Sequence, residues 1–176
     1  MQTARTHARC PNLTFHRCVT AWTFSNVAAG SDSTAAVMKK VFHSLLSHPD
    51  TLGRLVGELA KAQKTNKNMT YTPFPSWRDI CDLPYLNACI LEGLRLHPPF
   101  CLPFERVVPK GGIMIGQTYL PEGTVVGMSP WVINHHRPTF GDDAEDWNPD
   151  RWMGPDEERQ KREAALLTVR HGSCSR

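Results

Sequence analysis

Two signals that would settle a protein's class at once are missing from this sequence. The six cysteines form no CxxC pair and no Cys/His set at zinc spacing, so neither a metal cage nor a disulfide framework is indicated. No apolar run approaches the roughly 20 residues of a transmembrane helix, and the basic, polar start lacks the apolar middle of a signal peptide. We therefore expect reduced, cytosol-facing thiols and, in the chain as written, no membrane anchor.

The sequence also lacks the charge excess of a nucleic-acid-binding protein. Its formal net charge is only +3, with 40% hydrophobic and 21% charged residues, which are ordinary globular values. We expect no nucleic-acid partner. A length of 176 residues suits one compact domain, and composition alone indicates no function.

Helical periodicity dominates the first two thirds of the chain. Apolar residues at helical spacing predict a first helix over Ala21–Leu46, and Pro49 separates it from a second amphipathic helix. A third helix has an apolar residue every fourth position, with Asp82 as its expected N-cap and an end at His97-Pro98-Pro99. A polar helix is expected near Asp156–Leu167.

Other segments lack that periodicity. Short β-rich runs over Arg106–Ser129, cut by glycine and proline turns, predict small hairpins. The tract Pro138–Pro155 is rich in Asp, Pro and Trp and predicts an irregular meander. Residues 1–20 are expected to be irregular or foreign to the domain. The predicted fold class is therefore mainly α with small β-hairpins.

The third helix carries a carboxylate and a guanidinium, Glu92 and Arg95, three residues apart on one face. Such pairs are usually solvated surface bridges of little energetic weight. Here the flanking residues are leucines, and Arg151 follows in the aromatic setting Trp147–Trp152. The interpretation we prefer is a buried network in which both arginines share Glu92, where losing one member costs about 3 to 5 kcal/mol.

The first helix contains a glycine followed by four polar residues, Gly30 to Thr34, which is a poor choice for helix stability. One interpretation is an exposed turn of helix. The other is a local widening of the helix, where hydroxyl and carboxylate groups deliver protons to a bound ligand.

Three motifs in this order resemble the cytochrome P450 family: AAGSDST ending at Thr34, ExxR at Glu92 with the following LHP, and PDRW around Arg151. The resemblance makes 21–176 a partial cytochrome P450 domain, from the oxygen-handling helix to the start of the cysteine loop. The stretch Pro109–Trp131 resembles the fungal secondary-metabolism branch, near the pisatin demethylase and benzoate hydroxylase groups.

The resemblance implies a heme-thiolate monooxygenase that inserts one oxygen atom of dioxygen into a small organic substrate. A cysteine thiolate holds the heme iron in this family. The implied electron donor is a separate flavoprotein reductase, and a full-length relative would lie at the cytosolic face of the endoplasmic reticulum membrane.

The resemblance also implies site residues. The proton-delivering catalytic groups are Asp32, Ser33 and Thr34, with serine where threonine is commonest. The heme-binding residues are Ala29 and Gly30, and Arg106 for a propionate. The scaffold triad is Glu92, Arg95 and Arg151. The substrate pocket is bordered by Pro99, Phe100, Cys101 and Leu102.

The cysteine loop departs from the family pattern FGxGxRxC. With His171-Gly172-Ser173 aligned to the loop, Cys174 lies where the family has arginine, and Arg176 lies where it has cysteine. Cys174 is then the candidate iron ligand, displaced by roughly 7 Å of extended chain.

Three interpretations of the chain follow. It is a monooxygenase fragment in which Cys174 reaches the iron, or an inactive remnant or interaction protein that keeps part of the scaffold. The third is an incomplete copy of a longer product to which the activity belongs. We favour the third for the gene and the second for this polypeptide. The substrate itself is not predicted.

Overall fold

The computed structural model describes residues 12–65 and 74–168, in a chain that divides into two compact units, Met1–Ala35 and Ala36–Arg176. The described helices are α1 Asn12–Ser47, α2 Pro49–Thr65, α3 Trp77–Ile80, α4 Pro84–Leu96, α5 Pro130–Asn134, α6 Arg137–Phe140, the 3-10 helix Pro149–Trp152 and α7 Asp156–Ala165. The described strands are β1 Phe104–Val107, β2 Ile113–Ile115, β3 Thr118–Leu120 and β4 Val125–Met128. The predicted fold class, mainly α with small hairpins, is confirmed.

Helix α1 begins at Asn12 rather than at Ala21. The expectation of an irregular segment is therefore wrong for residues 12–20, and the rest of that segment, 1–11, lies outside the described residues. The break before α2 is as predicted, because Pro49 opens a helix easily but cannot donate within one.

Helix α4 begins with a cap that its own sequence does not supply. Its N-cap is Leu83, which offers no side-chain hydrogen bond, so the prediction of Asp82 as the cap is wrong. Instead, the carboxylate of Glu58 on α2 accepts hydrogen bonds from the backbone N–H groups of Tyr85 and Leu86, both at 2.9 Å. A carboxylate at the N-terminus of a helix also interacts favourably with the helix dipole. Helix α2 therefore stabilises the first turn of α4 through Glu58.

Helix α4 contributes to two apolar clusters, each of which also draws on distant segments. The first contains Leu45, Leu55, Tyr85, Cys89, Leu96 and Trp147. The second contains Ala88, Phe140, Ala144 and Trp152, with Leu91, Ala165 and Leu166 packed against it. Full burial of a large apolar side chain contributes about 1.5 to 3 kcal/mol, so both clusters stabilise the position of α4.

The strands form two antiparallel pairs, β1 with β4 and β2 with β3. Phe104 lies opposite Met128 in the first pair, and Ile113 lies opposite Leu120 in the second. The two-residue loop of the second hairpin has positive φ at Gly116, +59°, a conformation that glycine adopts without strain. These pairs confirm the hairpins predicted over Arg106–Ser129.

We expect Gly93→Ala to destabilise the chain, because a Cβ at Gly93 would lie 2.3 Å from Val41 Cγ2 on α1. Valine is stiff in a helix, so the backbones must move apart. The free energy of unfolding, measured by chemical denaturation, should fall by about 1 to 3 kcal/mol despite alanine's better helix propensity.

The matched control is Gly53→Ala on α2, where the added Cβ meets nothing within 4 Å. That change should raise the free energy of unfolding by up to about 1 kcal/mol. If both variants were stabilised alike, the close contact between α1 and α4 would be contradicted.

Candidate functional site

The site is built around the carboxylate of Glu92, whose side chain has no exposed area. Arg95, one helical turn later and equally buried, donates to it twice: Nε to Oε2 at 2.9 Å and Nη2 to Oε1 at 2.8 Å. This two-pronged geometry is the strongest form of carboxylate–guanidinium pairing. Glu92 and Arg95, which are three residues apart in the sequence, thus form a buried ion pair within α4.

The 3-10 helix brings further donors to the same carboxylate. Arg151 Nε donates to Glu92 Oε1 at 3.2 Å, and Trp152 Nε1 donates to Oε2 at 2.8 Å. The backbone N–H of Asn148 also donates to Oε1, at 3.1 Å. A buried carboxylate is tolerated only when its lone pairs are satisfied, and here five hydrogen bonds satisfy them.

Arg95 extends the network to irregular backbone. Its Nη1 donates to the carbonyl oxygens of Asn134 at 3.0 Å and Ala144 at 2.6 Å, and its Nη2 donates to that of Asp146 at 3.2 Å. Together with the two bonds to Glu92, these contacts account for all five N–H groups of the guanidinium. One side chain therefore holds three points of a segment that has little secondary structure of its own.

Arg151 performs a similar task for the segment around Asp143. It donates to the Phe140 carbonyl, to the Asp143 carbonyl at 2.9 Å, and through Nη1 to the Asp143 carboxylate oxygen Oδ1 at 3.1 Å. Asn148 Nδ2 donates to the same carboxylate at 2.9 Å. The hydrogen bond from Asn148, followed by the hydrogen bond and charge of Arg151, lowers the pKa of Asp143, although partial burial opposes the shift.

The structure therefore brings together Glu92, Arg95 and Arg151. Sequence reasoning missed the other members of the network: Trp152, Asn148, Asp143 and Asn134. Trp152 stands beside Arg151 in the sequence and offered a weak signal. The polar residues offered none, because the segment from Asp143 to Asn148 has no periodic pattern that indicates which side chains meet.

The predicted oxygen-handling residues lie on α1 in the unit Met1–Ala35. The helix is α-helical throughout its described length, so the predicted local widening is wrong. The Ser33 hydroxyl instead donates to the Ala29 carbonyl at 2.8 Å, which satisfies a polar side chain without opening the helix. Asp32 and Thr34 are exposed, and a Cβ at Gly30 would meet nothing within 4 Å.

The predicted pocket residues follow the end of α4. Pro99 is half-buried, whereas Phe100, Cys101 and Leu102 are exposed. The Cys101 thiol lies 3.3 Å from the Pro98 carbonyl, and the Cys101 carbonyl accepts a hydrogen bond from the Ser129 hydroxyl at 2.8 Å. Ser129 thus ties this segment to the end of β4.

A heme-thiolate site needs a cysteine thiolate for its iron and a cationic partner for its propionates. Arg106 on β1 is exposed and donates through Nη1 to the carbonyl of the neighbouring Glu105 at 2.7 Å. An exposed guanidinium suits a carboxylate.

Of the described cysteines, Cys81 and Cys89 are buried, whereas Cys101 is exposed. Burial raises the pKa of Cys89 to about 12, which disfavours the thiolate form that binds iron. The candidate iron ligand Cys174 lies outside the described residues.

Comparison with known proteins shows a match to the cytochrome P450 family over residues 12–167. The chain is 84% identical over 155 residues to cytochrome P450 monooxygenase asR2 of Sarocladium schorii, covering 88% of this chain and 30% of that protein. It is 64% identical over 154 residues to cytochrome P450 monooxygenase pkfB of Emericella nidulans, covering 88% and 29%. The chain thus spans about a third or less of the length of these relatives.

We expect Arg95→Ala to lower the free energy of unfolding by about 3 to 5 kcal/mol, because it leaves the Glu92 carboxylate buried without its main partner. Chemical denaturation measures the change. The control is Lys161→Ala, which removes an ion pair with Glu157 whose side chains are 71% and 81% exposed, and should change stability by under about 1 kcal/mol. Similar small losses in both variants would contradict a buried network.

The lowered pKa of Asp143 predicts a dependence on pH. Its stabilising effect is fully present above the unfolded-state pKa of 3.8 and is lost as the pH falls through the lower folded-state value. The difference in unfolding free energy between the parent and Asp143→Asn, followed by denaturation across pH, should therefore be constant near neutrality and narrow below about pH 4. A difference that stays constant at all acidic pH values would contradict this.

Proposed function

This chain belongs to the cytochrome P450 family, and we propose that it forms part of a heme-thiolate monooxygenase. That enzyme would oxidise a small organic substrate in fungal secondary metabolism. The heme, when bound, supplies the dioxygen chemistry by which one oxygen atom enters the substrate. The observation that carries the proposal is the Glu92 carboxylate, fully buried and shared by Arg95 and Arg151 within the family match.

The energetics of that network support a positional role. A buried ion pair is often no more stabilising than apolar residues of the same volume, so stability alone does not explain it. Its donors hold the backbone at Asn134, Ala144 and Asp143 in fixed places. We infer that the activity needs these segments at defined positions around the cofactor.

On α1 we propose that Asp32 and Ser33 deliver protons, with Thr34 beside them. The Ser33 hydroxyl would exchange its intrahelical bond to the Ala29 carbonyl for one to a ligand and donate its proton there. The exposed Asp32 carboxylate would take up a proton from solvent and pass it to the Ser33 oxygen. The open space around Gly30 supports a flat ligand lying close to the helix there.

The proposed contacts with the substrate, the heme propionate and the electron donor follow from the family. Phe100, Cys101 and Leu102 would border the substrate, since their exposed apolar surface suits a small organic molecule. Arg106 would meet a heme propionate. We propose electron delivery by a separate flavoprotein reductase at the cytosolic face of the endoplasmic reticulum. Within the described residues, no helix is long and apolar enough to cross a bilayer.

A second candidate is a catalytically inactive scaffold or interaction protein. It is favoured by the position of Cys174, which stands where the family's loop has arginine. It is also favoured by the unsuitability of the buried thiols Cys81 and Cys89 as ligands. The two candidates differ in whether this chain holds iron through sulfur.

The test is an absorbance spectrum of the heme-supplemented chain after reduction and treatment with carbon monoxide. The enzyme proposal predicts a thiolate-type Soret band that disappears in Cys174→Ser and persists in the matched control Cys101→Ser, and such a band would overturn the scaffold. An imidazole-type band would indicate a histidine such as His171 instead. No heme binding at all would overturn the enzyme proposal in favour of the scaffold.

A further inference from the structure

Two buried polar atoms beside the Glu92 network have no hydrogen-bond partner among the described residues: Asn134 Nδ2 and Thr168 Oγ1. Asn134 as a whole has no exposed area. A third atom of this kind, Arg159 Nε, lies 3.5 Å from the Glu163 carboxylate, so an ion pair accounts for it. The other two need an account, because most buried polar atoms in native proteins are bonded to protein or to ordered water.

Both atoms belong to one junction between α5 and the segment after α7. Asn134 is the last residue of α5, and its Oδ1 accepts a hydrogen bond from the Leu167 N–H at 2.9 Å. Because a backbone N–H can only donate, this bond fixes the orientation of the amide, with Oδ1 toward Leu167 and Nδ2 left over. Thr168 follows Leu167 directly, which brings its hydroxyl to the same junction.

The junction offers hydrogen bonds but no net charge. The ion network next to it contains two carboxylates, those of Glu92 and Asp143, and two guanidinium groups, those of Arg95 and Arg151, so the charges cancel. All five N–H groups of Arg95 are already bonded. An anion would meet no unpaired positive charge here, and a cation would meet the N–H groups of Asn134. A neutral molecule that both accepts and donates suits the junction best.

We propose that Asn134 Nδ2 and Thr168 Oγ1 bind a buried water molecule. The water accepts a hydrogen bond from Nδ2 and shares a second with the threonine hydroxyl, which can donate or accept. A buried water needs about two to four polar partners, so the loss of either residue's polar group should release it. The bridge attaches Thr168 to the end of α5 in addition to the direct bond at Leu167.

The first test counts long-lived internal waters in the whole chain by oxygen-17 magnetic relaxation dispersion. Thr168→Val replaces the hydroxyl by a methyl group of similar size and leaves the Leu167 bond in place, whereas Thr168→Ser keeps the hydroxyl. We expect the count to fall by about one water per molecule in Thr168→Val and to equal the parent value in Thr168→Ser. An equal count in the parent and in Thr168→Val would overturn the proposal.

Asn134→Leu supplies a second variant, because leucine removes the donor at nearly constant volume. Its matched control is Asn87→Leu on α4, where Nδ2 already donates to the Cys81 carbonyl at 2.7 Å. The count should fall by about one in Asn134→Leu and stay at the parent value in Asn87→Leu. Equal losses in both would indicate general loosening of the chain and would overturn the proposal. If a leucine variant does not fold, the two Thr168 variants decide.

Chloride distinguishes water from an anion as the occupant of the junction. The side-chain amide resonances of Asn134, followed by NMR, should show no saturable shift as chloride is added at constant ionic strength. A saturable shift would assign the junction to an anion and overturn the proposal.

Discussion

The burial of one carboxylate, that of Glu92, is the constraint on which the rest of the second unit depends. Removing a carboxylate from water costs several kcal/mol unless donors surround it. Those donors come from α4 itself, through Arg95, and from the 3-10 helix, through Arg151 and Trp152. Because the arginines also bind loop carbonyls, satisfying one charge fixes backbone that has no strand or long helix to hold it.

Neighbouring helices fix the position of α4, which carries Glu92. Glu58 caps its first turn from α2, and Gly93 lets Val41 of α1 approach closely beside the ion pair. Fixed supports of this kind suit a protein whose chemistry belongs to a bound cofactor, since the protein's contribution is to place groups around it. The role that we propose for the network is to place segments of the chain rather than to react.

The parts of this structure that could be predicted are those with a local signal. Helical periodicity and Pro49 indicated the break between α1 and α2, and the spacing of Glu92 and Arg95 indicated their pairing. The cap from Glu58 could not be predicted, because its partners on α4 lie far along the chain. The start of α1 was missed because helix propagates through residues without apolar periodicity once a stable neighbour exists. Of the two interpretations of Gly30 to Thr34, the widening is absent from the described helix, in which Ser33 bonds to the Ala29 carbonyl.

If the buried Glu92 carboxylate organises this unit, its hydrogen-bond network opens only when the whole unit unfolds. Hydrogen exchange at the Arg95 Nε–H, measured by NMR with the exposed Arg106 as internal reference, tests it most directly. The account predicts an opening free energy at Arg95 equal to the global free energy of unfolding from denaturation, with Arg106 exchanging freely. Exchange at Arg95 as fast as at Arg106 in the folded chain would contradict it.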